Sequence, residues 1–447
     1  MNKNILIAAV VSLSLLMGVF AAVFLFGNKK TTNNQVVQVD SDKVLSEITS
    51  IKPITNEEDE EENTTQTSTL TSTLTSTSTE TGTATSTSTS TSTQTSTSTS
   101  TSTSTAGDEE EKKDEPDVKL DPSTRKANDP RNFANNKFGL YIYEEDWMVK
   151  KAAEMVNSNG GDWGYVSIPI NIRNEGTSHW QNIFNKMAEH KIIPIIILWE
   201  GSADYNTAKG QATRFANWAN GLKWPTKNRY IVVYNEVNAK NQAPYNADPY
   251  VYAPILNMYI DVFKSVNSNY FMLNAPLNPS ALTQATYTGA DDFIIGMNKA
   301  VPGIWQKIDG LAANPYPHVN GYLGKPLDTG RTSISSYKWI KSLTQQYGGA
   351  GDLPIFITET GWGHHLPNGT NREGFYDVNT VASYYKMAFE QVFLPDPSVV
   401  AVTPFTIYFD DPYHNFSFLK KKNKESDVYP HFNVLKGMSK QAGNPPR

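Results

Sequence analysis

The chain has 447 residues, with 45 acidic and 39 basic side chains for a net charge of −6, and it contains no cysteine. The acidic balance argues against nucleic acid as a partner. The lack of cysteine excludes disulfides, thiolate metal sites, a cysteine nucleophile and a lipoprotein-type anchor, so stability must come from packing.

Residues 1–30 read as a membrane anchor or signal. Ile5–Phe26 runs 22 residues without a charge, between Lys3 and the pair Lys29 and Lys30, and is long enough to cross a hydrocarbon layer as a helix. A cleaved signal carries a shorter apolar region ahead of its small-residue site, whereas the fair site here, Val19-Phe20-Ala21, falls inside the run. An uncleaved anchor is therefore expected, with secretion after cleavage as the alternative. The lysine count on the two flanks opposes a simple positive-inside orientation.

Residues 31–128 form a neck. Acid concentrates at Glu57–Glu62 and Asp108–Glu111, and Thr64–Thr105 is almost entirely Thr and Ser. A strand without an apolar face has nothing to pack against, so this segment is expected to be a disordered, solvated stalk of the kind that is O-glycosylated outside the cell. Its 42 residues span at most roughly 140 Å at about 3.3 Å each. The inferred role is a spacer holding the remaining domain, residues 129–447, away from a membrane.

In that domain apolar periodicity alternates between strand-like and helix-like. Strands are expected at Phe138–Tyr143, Trp163–Ile170, Ile192–Leu198, Arg229–Tyr234, Tyr270–Asn274, Gly310–Ala313, Pro354–Thr358 and Val399–Phe405. Helices are expected at Trp147–Ser158, His179–His190 with Thr177 and Ser178 as cap candidates, Gln211–Leu222, Tyr250–Val266, Asp292–Gln306 broken at Pro302, Ser335–Tyr347, Thr380–Phe393 and His431–Ser439. Eight strand–helix pairs predict an α/β fold, a single (β/α)8 TIM barrel. A doubly wound open sheet would show a glycine-rich phosphate turn after an early strand, and none is present.

Two strands carry acids at their carboxyl ends. In R-Y-I-V-V-Y-N-E-V-N the run Ile231–Val233 leads to Asn235 and Glu236, and in L-P-I-F-I-T-E-T-G-W the run Ile355–Ile357 leads to Glu359. Strand ends open into the active site of a barrel, so both acids are expected to face one mouth. The pattern Asn235-Glu236 after one strand with a later T-E-T-G-W resembles the clan A retaining glycoside hydrolases, the cellulase and β-glucanase superfamily of TIM barrels, over about Phe138 to Ser439. That resemblance implies Glu236 as acid/base, Glu359 as nucleophile and Asn235 as donor to the substrate 2-hydroxyl. In A-N-P-Y-P-H it implies Tyr316 as the hydroxyl partner of the nucleophile. A hydrogen bond to the charged form is expected to hold Glu359 ionised, while burial near a like charge raises Glu236. Trp199, Trp362 and Tyr408 follow strands three, seven and eight, where flat faces can stack on sugar rings; at the strand-eight tip many members of the clan have tryptophan, and this chain departs from them.

Other acids follow strands as well: Glu144, Glu145 and Asp146, Glu200, and Asp410 and Asp411. They lie in polar clusters that fit solvated loops. His364-His365 with His318 and His414 raises a metal site, but adjacent strand residues point to opposite faces, so a metal-free and cofactor-free site is expected. Trp218, Trp305 and Trp339 fit core positions under the helices, and Glu236 has a purely structural alternative, pairing with Arg173 or Arg229. No lysine lies inside a strand, which argues against a Schiff-base aldolase. The readings that remain are a membrane-tethered extracellular retaining glycosidase acting on a β-linked glycan, a catalytically silent glycan- or cell-wall-binding barrel of adhesin type, and a surface transglycosylase.

Overall fold

The computed structural model describes residues 125–240, 246–317, 324–367, 369, 374–422 and 424–447. The anchor segment and the Thr/Ser stalk lie outside the described residues, as does His318. Among the described residues no helix is long and apolar enough to cross a membrane.

Eight parallel strands follow in chain order: β1 Gly139–Tyr141, β2 Gly164–Asn171, β3 Ile192–Trp199, β4 Arg229–Val232, β5 Tyr270–Leu273, β6 Leu311–Ala313, β7 Ile355–Ile357 and β8 Val399–Val402. Strands β1 to β5 pair in sequence order, as do β6 to β8. Parallel bridges Leu273↔Gly310 and Phe138↔Val402 join the two sheets at both seams, so the strands close into the barrel that the alternation predicts.

Side-chain parity builds its core in two layers. Ile193, Ile195 and Ile197 of β3, Tyr230 and Val232 of β4 and Phe271 and Leu273 of β5 fill the interior. Their neighbours Ile192, Ile196, Leu198, Ile231, Tyr270 and Met272 face the helices. Apolar residues on both faces explain why these strands read as continuous apolar runs.

The helices that cover the barrel are α1 Asp146–Val156, α2 Thr177–Glu189, α3 Tyr205–Asn220, α4 Pro249–Val266, α5 Ala290–Ala300, α6 Ser336–Gly348, α7 Val378–Ala388 and α8 Pro430–Gly437, with a one-turn helix at Ile304–Lys307. The differences from the expected bounds have local causes. Helix α3 begins six residues early because Asp204 accepts from Thr207 N–H and caps it. Helix α2 starts at Thr177 itself, with Gly176 as cap residue, so Thr177 and Ser178 are not caps. Helix α5 ends at Ala300, before Pro302, which cannot donate to the helical ladder.

The pole where strands begin is tied together by ion pairs. Arg131 binds Asp129 at 2.6 Å and Asp352 at 2.8 Å, and Asp309 binds Lys264 at 2.6 Å and Lys126 at 3.3 Å. The described chain enters the domain here, opposite the strand ends that carry Glu236 and Glu359.

Candidate active site

Strand β4 delivers its acid through a break in strand geometry. Val232 faces the barrel interior and Val233 the helices, but Tyr234 adopts φ 76° and Glu236 φ 43°. The left-handed region is costly for side-chain-bearing residues, by about 1–3 kcal/mol each, and such strain collects at functional sites. Tyr234 thereby swings toward α4, where its hydroxyl meets that of Tyr259 at 2.7 Å. Gly201 makes room for it, since a Cβ at that position would lie 2.0 Å from the Tyr234 ring. The turn also fixes Glu236, whose backbone N–H donates to Pro276 O at 2.9 Å.

Glu236 is 2% exposed and Glu359 0%. Asn314, just beyond β6, donates from Nδ2 to Glu236 Oε1 at 3.3 Å and to Asn235 Oδ1 at 3.2 Å. Its own Oδ1 accepts from Thr358 Oγ1 at 2.8 Å. Thr358 precedes Glu359, so two hydrogen bonds link the chain beside one acid to the other. Tyr316 Oη donates to Glu359 Oε2 at 3.0 Å. Of the eight buried side-chain atoms without a hydrogen-bond partner among the described residues, three belong to these residues: Asn235 Nδ2, Glu236 Oε2 and Glu359 Oε1. Each acid thus has one tethered oxygen and one bare oxygen, beside a bare amide donor.

Burial is the first cause of the pair's electrostatics. It pushes Glu236 up to about 8 against the pull of Asn314. Burial, and then the like charge of Glu236, raise Glu359 well above the carboxylate range, and the Tyr316 hydrogen bond only moderates the rise. The expectation that Tyr316 alone holds Glu359 ionised is corrected: one donor does not offset full desolvation beside a second acid. Two buried carboxylates close enough for the charge of one to act on the other do not both ionise readily, and their titration belongs to the pair.

The wall around Glu359 is aromatic. Tyr141, Phe405, Phe409, Tyr413 and Phe416 belong to the interior cluster, with Tyr143 and Phe375 packed against it. Tyr141 and Tyr143 both feel the Glu359 charge, which adds to their raised pKa after burial itself.

Two expected sugar platforms are placed elsewhere. Trp362 is 1% exposed, edge-on to Tyr384 and Tyr385 of α7, with Nε1 donating to Gly324 O at 2.9 Å; its face is buried in packing. Tyr408 packs against the outer core, and its hydroxyl meets Asp410 at 2.8 Å. β8 ends at Val402, earlier than the sequence suggested, and Phe405 is the first aromatic after β8, facing inward. Trp199 remains half-buried at the end of β3, in register with Asn171. Asn314 lies two residues before Tyr316 in A-N-P-Y-P-H, and its sequence signal is a polar residue at a strand tip.

The remaining acids serve the rim. Glu144 lies 3.9 Å from His179, Glu145 2.7 Å from Lys422, and Glu200 takes Asn171 at 2.8 Å and Arg173 at 4.0 Å. Arg229 bonds Asn220 instead of Glu236. His364 is buried with its ring nitrogens on His365 O and Ser417 O, and among the described residues no cluster of three ligand side chains could hold a metal.

Among solved structures the chain is similar to a family 51 α-L-arabinofuranosidase from Bifidobacterium longum, at 10% identity over 70% of this chain and 75% of that one, with a TM-score of 0.47. It is similar to the family 53 catalytic domain from Ignisphaera aggregans, at 12% identity over 67% and 95%, TM-score 0.43. An endo-β-1,4-glucanase from Xanthomonas axonopodis pv. citri matches at 10% identity over 67% and 98%, TM-score 0.43. The structural neighbours are clan A TIM-barrel glycoside hydrolases. No protein-family model and no curated protein matches the sequence.

Proposed function

We propose that the domain is a metal-independent retaining glycosidase acting on a β-linked glycan, with Glu236 as acid/base and Glu359 as nucleophile. The observation that carries this reading is the pair of buried carboxylates, each tethered through one oxygen and bare at the other. In the first step the proton on Glu236 Oε2 passes to the glycosidic oxygen while Glu359 Oε1 attacks the anomeric carbon, so the leaving group departs as an alcohol and a glycosyl ester forms. In the second step ionised Glu236 takes a proton from water, whose oxygen displaces Glu359 and restores both acids. Asn235 Nδ2 donates to the 2-hydroxyl of the sugar. The raised pKa of Glu236, which burial causes, suits the first half of the cycle.

We infer further that the domain is held at the outer surface of a membrane by the apolar N-terminal segment and the Thr/Ser stalk. The composition of these segments supports this.

The test is a panel of 4-nitrophenyl β-glycosides and β-glucans with the parent protein, E236Q and E359Q, with product stereochemistry followed by NMR. Retention by the parent and loss in both variants are expected. Glycan binding without turnover by the parent would instead establish a silent binding barrel, and transfer to added acceptor sugars in preference to water would establish a transglycosylase.

A further inference from the structure

Strands β4 and β5 pair in register as far as Val232 and Leu273, and one further backbone bond follows, from Val233 N–H to Leu273 O at 3.2 Å. In an unbroken parallel ladder Val233 O would next accept from Ala275 N–H. A side chain stands between them instead. Ala275 N–H donates to Tyr252 Oη at 2.7 Å, and Tyr252 Oη–H donates to Val233 O at 2.8 Å. A backbone N–H can only donate and a carbonyl can only accept, so the sense of both bonds is fixed. Tyr252 comes from α4 and is fully buried. Beyond this splice Tyr234 turns to φ 76°. Pairing resumes at Glu236, whose N–H donates to Pro276 O at 2.9 Å, whereas alternation from Val233 would have made Asn235 the next donor.

We propose that Tyr252 is a positioning residue whose hydroxyl, wedged into the β4–β5 ladder, ends strand geometry at Val233 and so sets the left-handed turn that presents Glu236. Two hydrogen bonds and an oxygen occupy the place of one hydrogen bond, so the strands part at this step. Without the hydroxyl, Ala275 N–H and Val233 O are free to bond each other directly. Pairing then runs on to Asn235, Tyr234 and Glu236 are released from a costly backbone conformation, and the Glu236 carboxyl shifts. Tyr259, on the same helix, bonds the Tyr234 hydroxyl at 2.7 Å and leaves the ladder alone. This inference rests on the reading of Glu236 as acid/base and deepens it.

The experiment compares Y252F with the double variant Y234F/Y259F in the full chain, reading kcat/KM on the phenyl and dinitrophenyl β-glycosides of the sugar that the parent hydrolyses fastest. A phenyl leaving group needs the proton of Glu236 and a dinitrophenyl group does not. Y252F is expected to lose on the order of 10²-fold on the phenyl glycoside, the scale of a misplaced catalytic group, and little on the dinitrophenyl one. Y234F/Y259F removes both members of a neighbouring hydroxyl pair but keeps the wedge, so it should retain the parent's ratio between the two substrates. Equal losses on the two substrates in folded Y252F, or the same change of ratio in the double variant, overturn the inference and leave the acid assignment in place. A second measurement needs no variant. In the parent, isotope-labelled at alanine nitrogen and valine carbonyl carbon, NMR should show no coupling through a hydrogen bond between the Ala275 amide and the Val233 carbonyl; such a coupling overturns the inference whether or not Y252F folds. Failure of the parent to hydrolyse any glycoside overturns the underlying reading instead, and this inference with it.

Discussion

The hydroxyl of Tyr316 lies 3.0 Å from Oε2 of Glu359 and reaches it from the neighbouring strand, while Oε1 of the same carboxylate has no partner among the described residues. The carboxylate is thus held by one oxygen and bare at the other. That single donor moderates, without offsetting, the rise that burial and the charge of Glu236 impose on the acid.

Tyr316→Phe removes the donor and leaves the desolvation. The pKa of Glu359 rises further, and because the nucleophile must be ionised, the acid limb of kcat/KM shifts to higher pH. A loss of roughly 10–100-fold at the parent's optimum is expected, on the scale of a lost hydrogen bond to a charged group. A pH–rate profile checks it, and an unmoved acid limb would show that Tyr316 does not tune the acid.

On the proposed mechanism Glu236 works in the first step as its protonated form. Its value of about 8 places the alkaline limb of kcat/KM near that pH, with both limbs belonging to the coupled pair. Glu236→Gln should abolish the alkaline limb, and its loss of rate, about 10²–10⁴-fold on a poor leaving group, should shrink sharply on a dinitrophenyl glycoside, whose leaving group needs no proton. Equal losses on the two substrates would remove Glu236 from the acid's role.

Burial of the same group has a cost in stability whose sign follows from linkage. The folded pKa lies above the ordinary 4.5, so between pH 4.5 and about 8 the folded state binds the proton more tightly than the unfolded chain. Stability contributed by the protonated form is fully present below the lower value and is lost as pH rises through the upper one. At about 1.4 kcal/mol per pKa unit the loss is on the order of a few kcal/mol. Denaturant titrations should find Glu236→Gln more stable than the parent at pH 8, with the gap closing by pH 4.5; a gap independent of pH would contradict this.

Trp362 separates packing from recognition. With its ring enclosed by Tyr384 and Tyr385, Trp362→Ala should cost about 3–5 kcal/mol of stability. A variant whose melting temperature is unchanged while KM rises would return Trp362 to the role of a sugar platform.

Gly201→Ala should destabilise by about 1–3 kcal/mol through overpacking, since the new Cβ falls 2.0 Å from the Tyr234 ring. Because Tyr234 and Glu236 share one turn, kcat should fall as well. The double variant Gly201→Ala/Tyr234→Ala should recover part of the stability, measured by thermal unfolding.

The continuous apolar runs at Ile192–Leu198 and Arg229–Tyr234, each followed by a helical period, made the barrel legible from sequence, because parity and periodicity are local properties of the chain. The polar ends of those runs made Glu236 and Glu359 legible as well, since a charge closing a buried strand stands out against apolar neighbours. Tyr316 was found through a motif. Asn314 was missed beside it, because an asparagine becomes informative only once the atoms that it joins are known.

What the sequence determined alone, then, is the alternation that builds the barrel, the identity of the two acids and the composition of the segment ahead of the domain. Tertiary structure decided the rest: that Phe405 and not Tyr408 faces inward after β8, that Trp362 is enclosed, and that Glu359 is raised despite its tyrosine. Side-chain direction beyond a strand's last paired residue depends on backbone turns such as φ 76° at Tyr234. A carboxylate's proton affinity depends on desolvation by residues remote along the chain. Neither quantity is encoded in the local period of apolar residues.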